Sequence, residues 1–258
     1  EHMIFQGTRN FEDGKAMTAY LEDIGGALDA GTDTESTFFC NQVPAKEIGR
    51  ASYVLSQQII HPCFNEERIK SEVGGVIIQE IRMCRDDAKD YIQELSREKT
   101  YGEHPLGRSI LGTEKSVANF ERRHFLNFHS YYYNANNLDF IVVGRIESED
   151  LIIDLFNQYF AGLQDGPFNS RLLADYTGGR QHLVYECRDL EQAHAMMRAP
   201  TTKGGSHEAM LIDIFRAMLC DGISFPLFTE VREKLGLCYE ITAGHQLYED
   251  LSNFVIYL

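Results

Sequence analysis

Residues 66–84 read EERIKSEVGGVIIQEIRMC, and the placement of their apolar side chains decides how the chain is read. Ile69, Val73, Val76, Ile77, Ile81 and Cys84 recur at helical spacing, the stripe of an amphipathic helix. One residue breaks that stripe. Glu80 stands four after Val76, three after Ile77 and four before Cys84, inside the apolar face. A buried carboxylate is costly unless a cation, a proton or a metal satisfies it. A partner Arg or Lys at the stripe's edge would serve as well as a metal.

Outward from this helix, the same periodicity predicts helices over Lys46–Ile60, Ser116–Tyr131, Glu149–Phe160 and Ser206–Leu219. Strand signals fall on Thr37–Val43, Leu138–Val143 and His182–Tyr185. The mixture predicts an α+β fold, with helices packed on one face of a largely antiparallel sheet. The turn-rich stretch Gln164–Ser170 and the pair Gly178-Gly179 mark a boundary. The expected organisation is a first domain over 1–165, a linker over 166–180 and a second domain over 181–258. The chain opens on Glu, and Asn253–Leu258 reads as a strand cut off mid-sheet with an unpaired edge. Both features suggest a piece of a longer protein.

Composition narrows the function classes. With 43% hydrophobic and 24% charged residues in 258, the chain is neither disordered nor a coiled coil. Its apolar runs, such as Phe140–Val143, are far shorter than the roughly 20 residues of a membrane span. A net charge of -15, from 24 basic and 39 acidic residues, argues against nucleic acid and allows attraction of cationic substrates. The six cysteines form no CxxC pair and read as buried, reduced thiols, which favours a cytoplasmic location. The histidines at 61, 104, 124, 129, 182, 194, 207 and 245 lack metal-pair spacing and read as surface or satisfied core residues.

The opening Glu1-His2 is weak by itself. It precedes an apolar segment, Met3-Ile4-Phe5, and then Gly7-Thr8. A His three positions before Glu1 would complete HxxEH, with two imidazoles on one helical face and a glutamate between them as general base. No such His is in this sequence.

Seven stretches, in order, carry a resemblance: EHMIFQGT (1–8), IGGALDAGTDTESTFF (24–39), IIQEIRMCRDD (77–87), HPLGRSILGTEKSV (104–117), NLDFIVVGRI (137–146), DLEQAH (189–194) and LFTEVREKLGLCYE (227–240). Together they resemble the pitrilysin/insulinase family of inverted-motif zinc peptidases, in particular its mitochondrial-processing-peptidase-like bacterial branch. The resemblance implies two homologous α+β domains, each a mostly antiparallel sheet with helices on one face, enclosing an acidic chamber, the second truncated here. It implies Zn2+ as cofactor, with His2 and Glu80 as ligands, a first His ligand before residue 1, and Glu1 as catalytic base. Glu72 resembles the family's additional acid, usually seven residues before the ligand. Here the interval to Glu80 is eight, which a π-bulge can absorb.

The resemblance also assigns Asp29, Ala30, Gly31 and Thr32 to a substrate-binding edge strand, to which a peptide adds as a further strand. Asp29 replaces the usual Asn, a change that either favours basic peptides or is neutral drift. Arg232 and Tyr239 match an Arg/Tyr pair that holds the substrate carbonyl or carboxylate and stabilises the oxyanion. The implied activity is a zinc metalloendopeptidase acting on peptides or on unfolded, presequence-like segments, self-sufficient, with a homodimer as one possible assembly. Two other readings compete: a non-catalytic subunit that binds substrate or builds a complex, and an acidic peptide-binding module needing no metal.

Overall fold

The structure, a computed structural model, describes residues 1–169, 172–174 and 183–258. A short 3-10 helix over His2–Gln6 opens the chain. Helix α1 (Gly14–Glu22) and the antiparallel hairpin β1 (Ala27–Thr32) and β2 (Thr37–Gln42) follow. Next come α2 (Ile48–Ile60), α3 (Glu66–Ser71), a π-helical segment over Glu72–Ile77, and α4 (Ile78–Asp86). Helices α5 (Ala88–Tyr101), α6 (Glu114–Ala118), α7 (Arg122–Tyr132) and α8 (Glu149–Phe160) lead to β3 (Met196–Pro200). Helix α9 (His207–Cys220), a second π-helical segment (Leu227–Lys234), β4 (Thr242–Gln246) and β5 (Asn253–Tyr257) complete the order.

The contacts gather into two compact units, Glu1–Glu80 with Ile110–Ser170, and Ile81–Ser109 with Arg171–Leu258. Each is discontinuous in sequence. In the first, Phe11, Met17, Leu21 and Val54 form the core, with Tyr20, Ile24, Leu28, Val43 and Tyr53 around it. Met17, Leu21 and Val54 are fully buried, worth about 1.5–3 kcal/mol each. Asp13 starts α1 by accepting from the Ala16 N–H at 2.8 Å, and Asn65 starts α3 by accepting from Glu67 and Arg68. In the second unit, the sheet order is β3-β5-β4, all antiparallel. Helix α5 meets the face carrying Met196 and Arg198, through Ser96. Helix α9 meets the opposite face, through Phe215 against Phe254 and Asp213 against His245.

Several expectations need correction. Residues 138–143 form no strand; no described strand lies alongside, and Ile141 and Val143 are 79% and 91% exposed. The expected strand at 182–185 is also absent over 183–185, while His182 lies outside the described residues. The helix expected over 116–131 is broken. Glu121 is extended (φ -121, ψ 160) and its N–H donates to His124 Nδ1 at 2.9 Å, so a new helix starts there. Asn253–Tyr257 is not an edge but the central strand, paired on both sides. The cysteines are not buried: Cys40, Cys63 and Cys187 are exposed, and Cys84, Cys220 and Cys238 are half-buried. Among the described residues no helix is long and apolar enough to cross a membrane.

Candidate active site

The chain start is pinned against the loop after α2. Cys63 N–H donates to Gly7 O at 3.0 Å and Arg9 N–H to His61 O at 2.9 Å. Gly7 has φ 125, and a Cβ there would lie 2.5 Å from Glu12 O, so only glycine fits. Met3 and Ile4 are buried, which turns Glu1 and His2 toward the helical segment 66–86.

That segment is helical throughout, but its middle turn is π rather than α. The wider turn absorbs one extra residue, so Glu72 and Glu80, eight apart, both reach His2. Glu80 Oε2 lies 3.5 Å from His2 Nε2, Glu1 Oε2 lies 3.6 Å from the same nitrogen, and Glu72 Oε2 lies 3.7 Å from His2 Nδ1. Three carboxylates thus converge on one imidazole, an arrangement that is unfavourable without a cation. Gln6 donates its side-chain amide to Glu72, and Arg68 donates to Gln6 O at 2.8 Å. The nearby guanidinium is therefore engaged with backbone.

Glu80 Oε2 is sealed from solvent and has no hydrogen-bond partner. No Arg or Lys of the described residues pairs with it. An imidazole nitrogen and a carboxylate oxygen, each about 2.0–2.2 Å from a tetrahedral zinc, stand roughly 3.3–3.6 Å apart. The 3.5 Å between His2 Nε2 and Glu80 Oε2 fits that geometry. The Glu72 carboxylate facing the other ring nitrogen matches the acid that commonly orients a metal-bound imidazole. His2 and Glu80 are thus spaced as two ligands of one metal ion would be. Among the described residues no group of three His, Cys, Asp or Glu is set to hold a metal ion.

One neighbour went unread in the sequence. Tyr133 stacks on His129 with ring centroids 4.7 Å apart and meets Phe39 at 6.3 Å. Burial, then the Glu1 charge, pushes its phenol up to about 12. The run Tyr131-Tyr132-Tyr133 held a signal only in hindsight, since spacing cannot say which ring turns inward. The neutral phenol is the form favoured by the fold, so its contribution is complete below pH 10 and fades as pH rises from 10 to about 12. The wild-type minus Tyr133→Phe difference titration at the phenolate band isolates this group. A midpoint near 12 is expected; a midpoint near 10 contradicts its burial beside Glu1.

The expected substrate strand is β1, and it pairs with β2 alone, leaving its outer edge unpaired by any described strand. Gly31 faces Phe38, whose ring would lie 2.7 Å from a Cβ at 31. Asp29 is exposed, and its Oδ1 accepts from the Ala30 N–H at 2.9 Å. Thr32 Oγ1 and Thr37 Oγ1 bond across the hairpin at 3.2 Å. Arg232 and Tyr239 belong to the other compact unit and lie together, with the guanidinium carbon 5.0 Å from the Tyr239 centroid.

Comparison with known proteins bears on the family and the fold. The family model "Insulinase (Peptidase family M16)" matches residues 1–114, and "Peptidase M16 inactive domain" matches residues 119–258. An uncharacterized zinc protease of Rickettsia felis is 33% identical over the whole chain, and one of Bacillus subtilis is 29% identical. The chain spans 61% of the length of each. A crystal structure of a Helicobacter pylori protease superposes with TM-score 0.89 at 18% identity, covering all of this chain and 62% of that one. Pitrilysin superposes with TM-score 0.72 at 16% identity, over 99% of this chain and 28% of its own. With one family model spanning more than half of its length and a second spanning most of the remainder, the chain belongs to peptidase family M16, the insulinase family.

Proposed function

We propose that the full-length protein is a zinc-dependent endopeptidase for peptides or unfolded, presequence-like segments bound as an added strand. The observation that carries this is Glu80 Oε2, an atom buried without a hydrogen-bond partner on a side chain that is 42% exposed, and 3.5 Å from His2 Nε2. On this reading His2 and Glu80 are ligands that this chain supplies. Zinc, when bound, supplies a Lewis acid that brings the pKa of water toward about 7. Glu1 takes the proton of the attacking water and returns it to the departing amine. Glu72 keeps the imidazole oriented. Arg232 and Tyr239 hold the substrate carbonyl and the developing oxyanion. The same reading takes 1–165 as the zinc-peptidase half, 166–180 as linker and 181–258 as the front of a homologous half, in a homodimer.

The outer edge of β1 offers main-chain bonds to any extended peptide, and the side chain of Asp29 adds negative charge there. We expect Asp29→Asn to lower kcat/KM for peptides with Lys or Arg facing this strand by up to about fivefold, the worth of an exposed ion pair, with neutral peptides unaffected. Equal effects on both peptide sets would remove Asp29 from specificity.

The second reading, a non-catalytic subunit, draws on the family description matched by residues 119–258, "Peptidase M16 inactive domain". Hydrolysis of an unfolded peptide by the full-length, zinc-loaded protein, abolished by a chelator and restored by zinc, separates the two. A wild type that binds peptide without cleaving it is the subunit.

A further inference from the structure

Arg232 holds its guanidinium over two aromatic rings, that of Tyr239, its partner in the sequence reading, and that of Phe228. Its guanidinium carbon is 4.5 Å from the Phe228 centroid and 5.0 Å from that of Tyr239. Phe228 precedes Arg232 by four residues in the helical segment Leu227–Lys234, so the two share a face. The rings differ in anchorage: Tyr239 is 84% exposed, whereas Phe228 is half-buried. Among the described residues no carboxylate pairs with Arg232, and the nearby Glu230 is taken by Lys234 at 2.6 Å. A guanidinium stacked through its flat faces keeps its in-plane N–H donors open for a carbonyl or carboxylate.

We propose that Phe228 is a positioning residue: its ring face sets the plane of the Arg232 guanidinium, so that the in-plane donors meet a substrate carbonyl or carboxylate. The exposed Tyr239 ring forms the second wall. This rests on the reading of Arg232 as substrate-binding.

The test uses the full-length protein and an unfolded peptide reporter. Phe228→Leu keeps apolar bulk and removes the π face; Phe228→Trp keeps a face. Phe228→Leu is expected to lower kcat/KM about fivefold, mainly through KM, while Phe228→Trp stays within about twofold of wild type. Both variants should melt with the wild type. In an Arg232→Gln background, Phe228→Leu should cause no further loss. Upfield ring-current shifts of the Arg232 Nε–H should disappear in Phe228→Leu and persist in Phe228→Trp, reporting the stack without reference to activity. Equal losses in Leu and Trp, or a Leu loss that persists beside Arg232→Gln, overturn the proposal, since Phe228 then acts by packing alone. Wild-type turnover in Arg232→Gln overturns the reading beneath it, whatever the ring shifts show.

Discussion

Glu1→Gln in the full-length protein is expected to keep its zinc and to lose peptide hydrolysis by about 100- to 10,000-fold, the usual worth of a general base. The carboxylate oxygen of Glu1 lies 3.6 Å from His2 Nε2, on the side of the ring that also faces Glu80. On the proposed reading, a base so placed would stand beside the ligands without being required as one. The amide is nearly the same size, so the buried Met3 and Ile4 that anchor this turn stay in place. What it lacks is the ability to accept a proton at neutral pH. Zinc content by elemental analysis and turnover on an unfolded peptide, measured on the same preparation, decide it. Unchanged turnover assigns the base to another group, and loss of zinc makes Glu1 a ligand.

Glu80→Gln is expected to have the second large effect, through loss of the proposed zinc. Replacing a charged ligand with a neutral amide is expected to weaken zinc by more than about 100-fold, beyond the range seen when an outer partner is lost. Glu72→Gln is the internal comparison. Glu72 faces His2 Nδ1 and is held by Gln6, so its loss should cost about 10- to 100-fold in zinc affinity. Competition with a chromophoric chelator ranks the two. If Glu72→Gln is the worse variant, the ligand and orienting roles of the two acids are exchanged.

These two acids also show how far the sequence could be read. Glu80 was conspicuous because it violated a helical stripe, a local property. The eight-residue interval to Glu72 pointed to a wider turn, and the π-helical segment over Glu72–Ile77 is that turn. The hairpin strand 37–42 and helices α2 and α8 were legible for the same reason, as periodic patterns complete within themselves. Helix α5 was passed over: it carries few large apolar residues and is stabilised by contacts such as Ser96 and Gln93 to Arg198, about a hundred residues away. Residues 138–143 fail in the opposite sense. Their β-branched run has strand propensity, yet a strand exists only where a partner lies beside it, which local pattern does not encode. Gln6, Arg68 and Tyr133 escaped notice likewise. Gln6 meets Glu72 across 66 residues, and Tyr133 feels Glu1 only through the fold.

On the proposed reading His2 and Glu80 bind one zinc ion, which anomalous diffraction at the zinc edge, on crystals of the full-length protein grown with zinc, would locate. One peak is expected about 2.0–2.2 Å from both His2 Nε2 and a Glu80 carboxylate oxygen, with Glu1 alongside but outside ligand distance. A peak that touches neither residue, or zinc-saturated crystals with no peak between them, contradicts it.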